Sequence, residues 1–138
     1  MVCVQCGGQT RVINSRHQRR ANQVWRRRQC RNPQCGAVFT SEETAAYNAA
    51  WAVQGPSGKL APFSRDKLLL SLYKSLEHRS TAVADAGGLA DTVIKRLSGA
   101  VTDGVIESQA IVHAAQVALN RFDKAASTHY SAFHPKHN

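Results

Sequence analysis

Cys3-x-x-Cys6 and Cys30-x-x-x-x-Cys35 hold all four cysteines of the chain, as two pairs. Two thiols on either side of a tight turn can aim both sulfurs at one metal ion. A glycine follows each pair, Gly7 and Gly36, and lets the backbone fold around the sulfurs. Four thiolates in tetrahedral geometry favour zinc. The stretch between the pairs and the second spacing are both wider than the commonest zinc-ribbon pattern. Two disulfides or four free thiols are the other states open to these residues. Disulfides need an oxidising compartment. Met1-Val2 leads straight into Cys3 without a signal-like segment. The expectation is therefore a structural zinc on Cys3, Cys6, Cys30 and Cys35 in a cytoplasmic protein. A catalytic zinc is disfavoured, because four thiolates leave no open coordination position.

Charge is the second signal. The 138-residue chain carries a formal +9. Residues 1–49 hold eight basic and two acidic groups, net +6, and residues 50–138 hold ten and seven, net +3. All eight basic residues of the first part are arginine: Arg11, Arg16, Arg19, Arg20, Arg26, Arg27, Arg28 and Arg31. A guanidinium fork can grip a phosphate or a guanine edge with two hydrogen bonds, and an ammonium cannot. A face charged only for solubility would have no reason to avoid lysine. The composition points to a polyanion partner, a phosphate backbone that Arg11, Arg16, Arg26, Arg27, Arg28 and Arg31 would contact. In a strand, Arg26 and Arg28 share one face and Arg27 takes the other. Trp25 beside them can stack on a base or simply pack.

Catalytic chemistry finds little support. The six histidines do not stand at metal-ligand spacing with a carboxylate. His113, among apolar helix residues, reads as a core or interface histidine. G-x-S-x-G, H-E-x-x-H and Walker-type loops are absent. No apolar run approaches the roughly 20 residues of a membrane span.

These groups need elements to hold them. Thr10–Ile13 and Val24–Arg27 are short strand candidates, with a polar stretch from Asn14 to Asn22 between them. Val38 and Phe39 are expected to cap the knuckle as a minimal core. So small a unit buries little apolar area, and the metal must supply much of its folding energy. Thr40-Ser41-Glu42-Glu43-Thr44 reads as a helix start running on to Ala50. The domain boundary is placed there, giving units 1–48 and 49–138. Trp51–Val53 and Lys59–Ala61 flank the turn Gly55–Gly58 as a hairpin. Ser64 caps a helix from Arg65 to His78, with Leu68, Leu69, Leu72, Tyr73 and Leu76 as its stripe. Further helices are expected near Leu89–Leu97, after Ser108, and from Asp123 to Phe133. Gly99–Gly104 breaks the pattern. The tail from His134 to Asn138 is expected to fray.

Three segments, Arg11-Val12-Ile13-Asn14-Ser15-Arg16, Arg26-Arg27-Arg28-Gln29-Cys30 and Phe39-Thr40-Ser41-Glu42-Glu43-Thr44-Ala45, resemble the NrdR-type transcriptional repressors of bacterial ribonucleotide reductase genes. That family reads V-I-x-S-R, R-R-R-x-C and F-T-T-x-E-T in the same order. The resemblance implies an α+β chain: a four-cysteine zinc ribbon, then a small, mainly helical ATP-cone of a β-hairpin and about four helices. It also implies ATP or dATP as ligand, DNA as target and a homo-oligomer whose assembly responds to nucleotide. Val53, Pro62-Phe63, Lys67-Leu68 and Tyr130–Phe133 are the later landmarks. Val53, Gln54, Lys59 and Lys67 are the implied nucleotide contacts.

The chain departs from the family's V-x-K-x-D-G…E-P-F…K pattern. Gly55 stands for the lysine, Ser57 for the aspartate and Ala61 for the glutamate, while Val53, Gly58 and Lys67 match. The Cys30–Cys35 spacing is wider than the family's C-x-x-C and looks like that of zinc-ribbon activators of some phages. Two alternatives stand beside the repressor reading. One is a nucleic-acid binder whose cone has lost nucleotide sensing and only oligomerises. The other is a subunit that regulates ribonucleotide reductase by direct contact.

Overall fold

The computed structural model describes residues 1–19 and 22–135. Arg20, Ala21 and the end of the tail, for which fraying is expected, lie outside them. The chain is α+β and divides into two compact units, Met1–Ala45 and Ala46–Asn138.

The first unit is a three-stranded antiparallel sheet of order β1-β2-β3, with β1 at Thr10–Gln18, β2 at Gln23–Cys30 and β3 at Val38–Thr44. A register shift between Val12 and Asn14 places a bulge in β1. The polar stretch after Ile13 continues the strand as far as Gln18. β3 corrects the expected helix start. Thr40–Thr44 has cap chemistry, but its β-branched residues pair along β2 from Arg27↔Thr40 to Gln23↔Thr44. Pairing with a ready strand overrides a local capping preference. Helix begins only with α1, Tyr47–Ala50. Cys3 and Cys30 are the buried hydrophobics of this unit among the described residues. Val38, expected to cap the knuckle, is 42% exposed, and Phe39 is half-buried.

The second unit packs helices α2 (Arg65–Leu76), α3 (Ala82–Leu97), α4 (Ser108–Phe122) and α5 (Lys124–Phe133) with a small sheet. β4 (Ala52–Gln54) pairs antiparallel with β5 (Leu60–Pro62) and parallel with β6 (Val105–Glu107). β6 directly follows the Gly99–Gly104 break and was not legible in the sequence. Leu72, Leu76, Val93, Leu97, Ile106 and Leu119 are fully buried and form the centre of one apolar core. Ser64 caps α2, its side chain accepting from the Lys67 N–H at 3.2 Å. Asp123 does the same for α5 through the Ala126 N–H at 3.0 Å. Among the described residues, no helix is long and apolar enough to cross a membrane.

Candidate metal centre and nucleic-acid interface

Two loops bring the cysteines together. In the first, the Cys3 N–H donates to the Gly8 carbonyl at 2.7 Å and the Gly7 N–H to the Cys3 carbonyl at 3.0 Å. In the second, the Cys30 N–H donates to the Ala37 carbonyl at 2.8 Å, and the Cys35 and Gly36 N–H groups both reach the Asn32 carbonyl. Gly7 (φ +70°) and Gly36 (φ +59°) occupy matching left-handed positions. The wider second spacing is absorbed by Asn32, whose side-chain oxygen accepts from the Gln34 N–H at 3.0 Å. The Arg31 N–H donates to the Gln9 carbonyl at 2.9 Å and ties the loops together.

The four ligand sulfurs all lie within 4.8 Å of one another. Cys3 and Cys35 sulfurs are 3.8 Å apart and those of Cys6 and Cys30 3.5 Å. A tetrahedron with Zn–S bonds near 2.3 Å has edges of about 3.8 Å, so the cluster fits zinc and leaves no open position. Backbone N–H groups of Gln5 and Asn32 point at the Cys3 and Cys30 sulfurs, at 3.5 and 3.4 Å. The Gln5 and Cys6 N–H groups pull the Cys3 thiol down to about 7. At Cys30 the Asn32 N–H pulls the same way, but burial and the neighbouring sulfurs outweigh it and push the thiol up to about 12. Four clustered sulfurs cannot all ionise without a cation between them, which is the electrostatic case for a metal.

The sheet sorts the arginines onto its two faces. On one face Arg26 bonds Glu43 at 2.9 Å and Ser15 at 3.3 Å, and Arg28 donates to Ser41 at 2.8 Å. On the other face Arg27 donates to the Thr40 hydroxyl at 3.1 Å, opposite Asn14. Arg16 lies opposite Trp25 on that face. Asn14, Arg16, Trp25, Arg27 and Thr40 line one hollow of about 240 Å³. Arg11 is held to the Gln29 side chain at 2.8 Å. Arg31 is exposed on the second cysteine loop. The alternation of Arg26, Arg27 and Arg28 follows the expected strand period. The Glu43 partner of Arg26 was not foreseen, because the sequence places Glu43 in a helix start.

In the second unit, Val53 is half-buried in the central strand β4, while Gln54 and Lys59 are exposed beside the hairpin turn. Lys67 lines a groove of about 430 Å³ between α2 and α5, with Lys74, Ser75, His129, Phe133 and His134 among its other walls. Ser71 bonds His134 at 2.8 Å and Ser75 bonds His129 at 3.2 Å. Gln54 and Lys59 are not in the lining of this groove, so the four nucleotide candidates fall into two groups. Sequence reasoning missed the groove's Lys74 and His129; the α2 spacing of Lys67 and Lys74, two turns apart, was the available signal. His113 is exposed rather than in the core, because it sits on the outward side of α4.

A family model described as "Transcriptional repressor NrdR-like, N-terminal domain" matches residues 1–43. A protein named "Transcriptional repressor NrdR" from Symbiobacterium thermophilum is 32% identical over 96% of this chain and 85% of its own length. One of the same name from Methylorubrum extorquens is 32% identical over 96% of this chain and 70% of its length. A third, from Halorhodospira halophila, is 38% identical over 72% of this chain and 63% of its length.

Proposed function

The chain belongs to the NrdR family of transcriptional repressors, and from that premise we propose that it is a zinc-dependent repressor of ribonucleotide reductase genes that binds double-stranded DNA and responds to ATP or dATP. It acts in the cytoplasm as a homo-oligomer. The carrying observation is the metal-ligand cluster joined to an arginine sheet: zinc fixes the sheet, and the sheet presents Arg16 and Arg27 on a face where neither has a carboxylate partner among the described residues. Rigid guanidiniums lose little freedom when they meet phosphates. Arg26 contributes less, since Glu43 already offsets its charge.

The test is binding of the zinc-loaded protein to a random-sequence duplex over a range of salt. Affinity should fall steeply with salt. The pair Arg16→Ala and Arg27→Ala should weaken binding and flatten the salt slope by about one unit per lost phosphate contact. Arg26→Ala should change both less. An unaltered affinity in the Arg16/Arg27 pair would refute the interface.

The nucleotide part rests on the α2–α5 groove. Its volume falls within the range of about 300–1,000 Å³ usual for ligand sites, and Lys67 and Lys74 supply charge for a polyphosphate. Nucleotide acts on assembly only through its different affinity for the assembled states. Calorimetry with ATP and dATP should give heat for at least one, weakened about tenfold or more in Lys67→Ala. The departures Gly55, Ser57 and Ala61 favour the second reading, a constitutive nucleic-acid binder whose cone only oligomerises. No heat with either nucleotide would establish that reading instead.

A further inference from the structure

Trp25 is 41% exposed on the central strand of a sheet. An indole carries a large apolar area, and leaving it in water forgoes much burial energy. The surroundings are built for a flat, electron-rich partner. Arg16 stands across from Trp25 on β1, and Arg27, two residues along β2, is fixed by its bond to Thr40. Asn14 brings both a donor and an acceptor to the same hollow. At about 240 Å³ the hollow is smaller than a cofactor cleft and suits a single ring system. Glu42, paired with Trp25 from β3, puts a carboxylate on the same face, so a phosphate chain is steered away from that edge and toward Arg16 and Arg27.

In a duplex the bases are stacked on one another and offer only their edges to a protein. Stacking on an indole needs a base whose face is free, and any of the four bases supplies one. We propose that Trp25 is a stacking seat for an unpaired DNA base, with Arg16 and Arg27 on the flanking phosphates, so that the first unit also binds single-stranded DNA. This inference rests on the reading of that face as a DNA contact and adds a strand preference to it.

The chain has two tryptophans, so Trp51→Phe leaves Trp25 as the sole indole. The zinc-loaded, full-length variant is titrated at low salt with an oligothymidylate single strand and with a random-sequence duplex. Indole fluorescence is followed, and anisotropy of the labelled strands is recorded for the unaltered protein as well. The single strand should quench Trp25. Trp25→Ala should lose about tenfold in single-strand affinity, keep its zinc and change duplex affinity by less than about threefold, and Trp25→Phe should recover part of the loss. Duplex binding with no single-strand quenching overturns the stacking seat while leaving the DNA interface intact. An equal loss for both ligands in Trp25→Ala does the same. If neither strand nor duplex binds, the interface reading fails along with it.

Discussion

Gly8 marks how tightly the metal centre is packed. A Cβ at that position would stand 3.3 Å from the Cys6 sulfur and 3.7 Å from the Cys30 sulfur. Among the described residues of this unit only Cys3 and Cys30 are buried hydrophobics, so little else compensates for a lost ligand and the fold depends on the metal. Cys30→Ser should therefore lower zinc content and remove the β-sheet signal of the first unit. Full zinc occupancy in the variant, measured by metal analysis, would refute the site. Gly55 makes the opposite point. A Cβ there meets only the Lys59 carbonyl at 3.8 Å, an ordinary contact. A Cβ fits there without strain, and because Gly55 stands where the family pattern has its lysine, Gly55→Lys should tighten ATP or dATP binding in calorimetry. No gain would mean that the departures at Ser57 and Ala61, or the groove itself, limit the affinity. At this scale the metal ligands were legible, because a CxxC-type spacing is local. The Arg26–Glu43 pair was not, because it joins residues brought side by side only by the β2–β3 ladder.

Elements were legible where a local rule agreed with the tertiary structure. Ser64 before the Leu68–Leu72–Leu76 stripe gave α2 with its cap. The first half of α3 was hidden by Gly87 and Gly88, poor helix formers held there by packing around Ala86 and Ala90. β6 is three residues long, and its parallel partner β4 is distant in sequence. Its start depends on Gly104, at φ +74°, where a Cβ would come within 3.1 Å of the Ala50 carbonyl. The Gly104 carbonyl also accepts from the Ala52 N–H at 2.8 Å. Gly104→Ala should destabilise the second unit by about 1 kcal/mol or more. Gly88→Ala, helical and in open space, should stabilise it by about 0.5–1 kcal/mol. Urea unfolding followed by the helical signal checks both, and equal effects of one sign would contradict this account.

Across the molecule, the two units depend on different forces. The first relies on a metal, and the second on an apolar core that runs from Phe63 to Tyr130. A chelator should erase the sheet of the first unit and leave the helical signal of the second. The acid response of the second unit then follows from one joint. Asp123 accepts from the Ala126 N–H, His78 and Arg79, and these bonds hold its carboxyl down at about 2. Arg79 also bonds Asp85 at 2.8 Å and lies over the Phe122 ring, so the loop after α2 and the starts of α3 and α5 meet there. A carboxyl with a depressed folded value stabilises the fold above its unfolded value of about 3.9, and the gain is lost as pH falls toward about 2. In chelator-treated protein, helical stability should therefore drop between about pH 4 and about pH 2. Asp123→Asn should be the less stable protein at about pH 5, and the gap should close as pH falls through that window. A gap that stayed constant with pH would mean that Asp123 acts by its shape as a cap and not by its charge.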